Sequence, residues 1–264
     1  LAVDEGSAAA WRAYAGFLMR TGQSAKAEEC TREAVALDSS DPASLLAHGA
    51  VLATRGSHEQ AEVFLKAALD AEPTDASLWL LMGLLYESMG RNRDVKAALK
   101  AAAEQCGPAG IGGAYESLAS RLLPLGAAPL VSAALDHAAA APAGTEACAP
   151  PSGATLGAAL IGVELHLHLD ELDAAADAAR AAIDGPGRKS AAAYRLLGNA
   201  LCRRLGPDAP NAEAREAYEK CLALAGADMP LQALLLLGGL CLADGDAPRA
   251  KELFMHACRL GPSG

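Results

Sequence analysis

An all-α array of helical hairpins, wound as a right-handed solenoid of about seven repeats, is the fold this sequence predicts, and three observations predict it. Residues recur at a fixed spacing of 34: Gly22, Gly56 and Gly90; Ala27, Ala61 and Val95; Ala34, Ala68 and Ala102. Between these columns a large residue (Trp11, Leu45, Trp79) is followed four positions later by a small one (Ala15, Gly49, Gly83). The composition also favours helix, being 52% hydrophobic but only 4% aromatic, with much Ala and Leu, two of the best helix formers. A period of this length is the mark of stacked helix pairs, which bury their apolar faces on one another and need no single central core.

Each element follows from its residues. The small column falls where the two helices of a hairpin cross, so a larger side chain there would force them apart. The glycine after the first helix predicts a left-handed turn that other residues adopt only at a cost. Ser57-His58-Glu59-Gln60 reads as a capping box opening a helix. Asp41-Pro42 and Asp75 read as N-caps, with Pro42 in the tolerated first turn. The first three repeats lie near 8–41, 42–75 and 76–109. A fourth, near 112–144, places Tyr115, Ala119, Leu122 and Gly126 in its first helix and Val131, Leu135 and Ala138 in its second. These four form an N-terminal array over 1–140.

A Pro/Gly/Ala-rich stretch over 141–155 cannot continue a helix and reads as a loop. Three more degenerate repeats occupy 156–264. Their columns are Ala159, Val163 and His166 with Ala175, Ala179 and Ala182, then Tyr194, Gly198 and Leu201 with Ala214, Tyr218 and Cys221. The last has Gly238, Cys241, Gly245, Ala250, Phe254, Ala257 and Pro262. Gly206-Pro207-Asp208-Ala209-Pro210 stretches the turn inside the sixth hairpin. The chain opens on Leu1 rather than Met, reads as a segment of something longer, and shows no polar helix capping its C-terminal end.

The motif Trp79-x-x-Met82-Gly83-x-x-Tyr86, with Ala61-x-x-x-Leu65 and Pro73, resembles the signature of the tetratricopeptide repeat. That resemblance implies that the first helix of each hairpin lines a concave groove that takes extended peptides or helices. The segment from Glu59 to Glu87, EQAEVFLKAALDAEPTDASLWLLMGLLYE, further resembles the C-terminal repeat region of the cilia- and flagella-associated protein 70 family. This likeness is best over the first three repeats and weaker after about residue 110. It implies a non-catalytic part of a scaffold in the axoneme of a motile cilium or flagellum, a cytoskeletal setting, and carries no set of functional residues with it.

Composition narrows the function classes. The formal net charge of −10 would repel a nucleic acid, and no apolar run approaches the roughly 18 residues a membrane span requires. Seven scattered cysteines with no CxxC pair signal neither a disulfide framework nor a zinc site, and fit a reducing compartment such as the cytoplasm. His166-x-His168-x-Asp170 is the most metal-like cluster. Residues two apart on a helix face different ways, so the pair cannot share an ion unaided, and His166 reads as a packed core residue. No nucleophile has a base in view and no glycine-rich stretch carries a phosphate-loop pattern. The expectation is therefore no enzyme, no metal and no cofactor.

What remains is surface. In the first three repeats the groove positions hold Arg12, then Leu46 and Ala50, then Leu80 and Leu84. One cation followed by apolar residues is not the Lys/Asn/Arg carboxylate clamp that some tetratricopeptide proteins use on chaperone termini. These positions suit either an amphipathic partner helix or packing against neighbouring helices. In the sixth repeat Arg195, Asn199 and Arg203 recur at i, i+4 and i+8 on one helical face, with Arg204, Arg188 and Lys189 nearby. Guanidinium groups suit carboxylate or phosphate recognition, although Leu236 stands where a clamp would place its next amide. The same stripe fits an ordinary solvated face. The leading reading is a protein-binding scaffold or adaptor; the alternatives are a substrate-recruiting array of a larger enzyme and a chaperone co-factor.

Overall fold

The structure, a computed structural model, describes residues 6–140, 155–205 and 211–260. The predicted loop at 141–155 lies outside the described residues except for Thr155, as do the 206–210 turn, Cys148 and Pro262. The described residues hold fourteen α-helices and four short 3-10 turns, with no strand. The chain divides into two compact units, Leu1–Ala154 and Thr155–Gly264.

The N-terminal unit contains α1 (Ala8–Arg20), α2 (Ser24–Leu37), α3 (Pro42–Thr54), α4 (His58–Ala71), α5 (Ala76–Ser88), α6 (Asn92–Cys106), α7 (Ile111–Leu122) and α8 (Ala128–Ala140). Consecutive odd and even helices pair as hairpins. Gly22, Gly56 and Gly90 close the first three at φ of 76°, 82° and 70°. A Cβ at any of the three would meet nothing within 4 Å, so the requirement there is conformational and not steric. Asp41 accepts from the Ala43 and Ser44 amides, and Asp75 from Ser77, as N-caps should. Ser57 sits at the N-cap of α4 but its side chain makes no capping hydrogen bond, so the expected capping box does not form.

The small column behaves differently from hairpin to hairpin. A methyl on Gly49 would come within 2.6 Å of Leu65, whereas one on Gly83 would rest 3.8 Å from the Ala98 Cβ. The partner residue on the second helix therefore decides whether glycine is needed. Both α3 and α5 are buried on nearly every side. Within this core His48 is 3% exposed, with its Nδ1 2.8 Å from Thr31 Oγ1 and its ring edge-on to Phe64 at 4.4 Å. Burial, reinforced by the charge of Arg32, pushes its pKa down to about 4.

The fourth hairpin departs from the expected stacking. Gly107 (φ 74°) and a Pro108–Gly110 3-10 turn redirect the chain after α6. Beyond its hairpin partner α8, helix α7 then packs chiefly on α5 and only slightly on α6. Arg121, at the end of α7, pairs with Asp75 at the start of α5 and donates to Ser77 Oγ at 2.8 Å. Tyr115, near the start of α7, feels the charge of Glu87 at the end of α5. The two helices therefore run antiparallel. By contrast, Arg12 of α1 pairs with Asp41 and Ser44 at the start of α3, as parallel first helices should. The sequence columns place α7 and α8 correctly as helices but not as a fourth repeat in register.

The C-terminal unit contains α9 (Leu156–His168), α10 (Leu172–Asp184), α11 (Ala191–Leu205), α12 (Ala212–Ala225), α13 (Leu231–Ala243) and α14 (Ala247–Leu260). They form three hairpins over a shared core that includes Val163, Ala179, Leu201, Tyr218, Leu237 and Leu253. Gly245 (φ 80°) closes the last hairpin as the N-terminal glycines close theirs. In the first of these hairpins that left-handed place is held by Asp170 (φ 61°).

Candidate functional site

In the C-terminal unit α9, α11 and α13 are the first helices of their hairpins, and their inner faces border a cavity of about 630 Å³. Helix α11 is oriented by its opposite side. Gly198 lies against the Tyr218 ring of α12, where a Cβ would approach within 2.7 Å. Leu197 and Leu201 are buried around it. This turns Arg195, Asn199 and Arg203 toward the cavity, which Glu164, His168, Gln232 and Leu236 also line. The three residues predicted from spacing are thus brought to one site.

Their roles separate on inspection of their partners. Arg195 faces Glu164 at 3.8 Å, the long limit of an ion pair. Asn199 Oδ1 accepts from the Tyr218 hydroxyl at 2.7 Å. Burial, reinforced by Cys202, keeps that phenol protonated well beyond its ordinary range, so Tyr218 is a fixed donor. With Oδ1 so engaged, the amide Nδ2–H2 of Asn199 is left to donate into the cavity. Arg203 is committed elsewhere. It donates to the Leu167 carbonyl at 2.6 Å and to Asp170 Oδ1 at 2.8 Å, tying down the left-handed turn that ends α9. Arg204 pairs with Asp173 at 3.0 Å. Arg188 and Lys189 are exposed in the 3-10 turn before α11.

The other candidates fare differently. Leu46, Ala50, Leu80 and Leu84 are 2%, 0%, 0% and 5% exposed. They are packing residues of the N-terminal unit, and offer no open groove. His166 is also corrected: it is half-exposed, with Nδ1 2.8 Å from Glu171 Oε2, while Val163 and Leu167 take the buried positions. His168 lines the cavity instead, so the two imidazoles do point apart. Among the described residues no group of three His, Cys, Asp or Glu side chains is placed to hold a metal ion. Burial raises the thiol pKa of Cys202, Cys221 and Cys241, which disfavours thiolate chemistry at those positions. Sequence reading missed Tyr218 and Glu164 as parts of the site. The signal for Tyr218 was the bulky residue facing a glycine column; Glu164 gave none.

Residues 1–106 match the family model described as the cilia and flagella-associated protein 70 middle TPR-like domain. The matched segment runs to Cys106, the end of α6. The matching model describes the middle domain of that family, whereas the sequence alone suggested a likeness to its C-terminal repeat region. No curated protein matches the chain. Solved structures to which it is similar include PilF of Pseudomonas aeruginosa, at 15% identity, 84% of this chain, 93% of that chain and a TM-score of 0.49. Another is the C-terminal part of a TPR repeat-containing protein from Cytophaga hutchinsonii, at 14% identity, 95% of each chain and a TM-score of 0.49. A third is a tetratricopeptide repeat protein from Parabacteroides merdae, at 16% identity, 95% and 91% coverage and a TM-score of 0.44. No described helix is long and apolar enough to cross a membrane. The chain is an all-α tetratricopeptide-type protein whose first three hairpins, residues 1–106, resemble the middle TPR-like domain of the cilia and flagella-associated protein 70 family.

Proposed function

We propose that the chain is a non-catalytic protein-interaction scaffold, and that the inner face of its C-terminal unit holds an acidic segment of a partner protein. The observation that carries this is a cavity bordered by Arg195, Asn199 and Gln232, in which the ion pair of Arg195 to Glu164 is long, at 3.8 Å. A partner carboxylate would replace that contact with a shorter, bidentate one to the guanidinium and accept from the Asn199 amide. Leu236 and Leu196 supply the apolar wall against which the carbon stem of an Asp or Glu side chain would rest. The similarity of residues 1–106 to a ciliary family supports placing the scaffold in the axoneme of a motile cilium.

The test is fluorescence anisotropy with a labelled Glu-rich peptide on the full chain. Arg195→Ala combined with Asn199→Ala should weaken binding at least about tenfold, the loss of one charge-assisted contact or more. Helical circular dichroism should stay unchanged. Arg203→Ala is excluded from the pair because it would also loosen the turn at Asp170. Unaltered affinity in the double variant would contradict the site, and no binding by the parent chain would contradict the ligand class.

A further inference from the structure

We propose that the inner face of α1, α3 and α5 is a helix-binding groove kept shut in cis by the chain's own α7–α8 hairpin, and that it opens to a partner helix of the same chemistry. The inference does not depend on the C-terminal site. The groove positions of the first three repeats are Arg12 and Gly16 on α1, Leu46 and Ala50 on α3, and Leu80 and Leu84 on α5. Their cover comes from the reversed hairpin. The Leu123–Leu125 3-10 turn packs on α1, with the Pro124 carbonyl in the space a Cβ on Gly16 would fill. Leu46 borders a cavity with Arg121, Pro124 and Leu125. Helix α7 lies along α5, and α8 reaches both α3 and α5.

The occupant is joined to the repeats as a ligand would be. Its apolar side faces the groove, and polar contacts join its edge to the repeats. Arg121 engages Asp75 and Ser77, Arg20 donates to the Pro124 carbonyl at 3.1 Å, and His137 lies 2.9 Å from Glu87. Arg121 seeks the same cap, an Asp with a following Ser, that Arg12 finds within the array at Asp41 and Ser44. A competing helix is therefore defined by an apolar strip ending in an arginine. The hairpin is also built to swing. Gly107 and Gly110 flank its entry, and Gly112 and Gly113, two poor helix formers, occupy the first turn of α7.

Hydrogen exchange on the full chain tests this. In the parent protein α7 and α8 should exchange on the order of tenfold faster than α4 and α6, as a separately opening element. Arg121→Glu and, independently, Gly16→Ala should raise exchange in α7, α8 and the inner helices α3 and α5, with α2, α4 and α6 unchanged. A labelled peptide of residues 107–140 should then bind Arg121→Glu, whose groove is unaltered, and neither the parent nor Gly16→Ala, whose new methyl meets Pro124 of the peptide as it does Pro124 of the hairpin. Equal protection of all eight helices in the parent, uniform loss across the unit in the variants, unchanged exchange in α7–α8, or failure of the peptide to bind Arg121→Glu would each overturn the proposal.

Discussion

The two units use one helical-hairpin plan and leave their inner faces in opposite states. Three residues before the glycine column stand Leu46, Leu80, Arg195 and Leu235. The first two, in the N-terminal unit, are 2% and 0% exposed; Leu235, in the C-terminal unit, is 46% exposed, and Arg195 borders a cavity. The position after that glycine repeats the contrast, with Ala50 and Leu84 buried and Asn199 half-buried. Nothing in the repeat itself produces this difference. It comes from Gly107, where the chain turns α7 and α8 back over the first three hairpins. The lesson is that a repeat register specifies which side chains face inward, and the segment after the register decides whether that face is core or site.

The comparison is broken most directly by shortening matched leucines. Leu80→Ala should cost about 2–5 kcal/mol, because it leaves a cavity in a closed core. Leu235→Ala should stay within about 0.5 kcal/mol, as exposed substitutions do. Urea unfolding followed by tryptophan fluorescence for the first and far-ultraviolet dichroism for the second measures both. Trp11 and Trp79 are the chain's two tryptophans and lie in the N-terminal unit, so their emission isolates it. Similar costs at the two leucines would remove the distinction between closed and open faces.

Acid should separate the units next. His48 is held neutral in the folded N-terminal unit, with its pKa lowered from 6.5 to about 4. The unfolded chain therefore takes up this proton first. The stability that a neutral imidazole preserves is complete above pH 6.5, declines as pH falls through that value, and stops declining below about 4. The loss amounts to roughly 3 kcal/mol at about 1.4 kcal/mol per pH unit. It should appear in tryptophan-detected unfolding and shrink in His48→Gln. A parent stability flat between pH 6.5 and 4 would contradict a buried neutral histidine.

The smallest contrast lies in the glycine column. Gly198→Ala drives a methyl into the Tyr218 ring and should cost about 1–3 kcal/mol by overpacking. It should also weaken acidic-peptide binding, since Tyr218 orients Asn199. Gly83→Ala meets only Ala98 at contact distance, and should be neutral or stabilise by up to about 1 kcal/mol through helix propensity. Thermal melts of the two variants decide; the reverse order would show that the two crossings are not packed as described.

Much of this was readable in the chain. The glycines at 22, 56 and 90, the caps Asp41 and Asp75, and the shared face of Arg195, Asn199 and Arg203 all follow from local backbone and helix periodicity. Direction does not. Tyr115, Ala119 and Leu122 show the same period whether α7 runs parallel or antiparallel to α5, and Leu46 or Leu80 is equally apolar in a groove and in a core. Arg203 was grouped with Arg195 and Asn199 as a candidate binding residue because its partners lie 33 and 36 residues away. The clue was Asp170 in a place where the other hairpins carry glycine. His166 was assigned inward from column position alone, yet Val163 and Leu167, four apart, already satisfied that face. His48 escaped notice because Thr31 and Phe64, which surround it, come from two other helices.

The central claim is that binding belongs to the open inner face and not to the closed one. Hydrogen exchange of the full chain with and without saturating Glu-rich peptide tests it in one experiment. Added protection is expected in α9, α11 and α13, centred on Arg195 and Asn199, and none in α1, α3 and α5. Protection confined to the N-terminal helices, or spread evenly over both units, would contradict it.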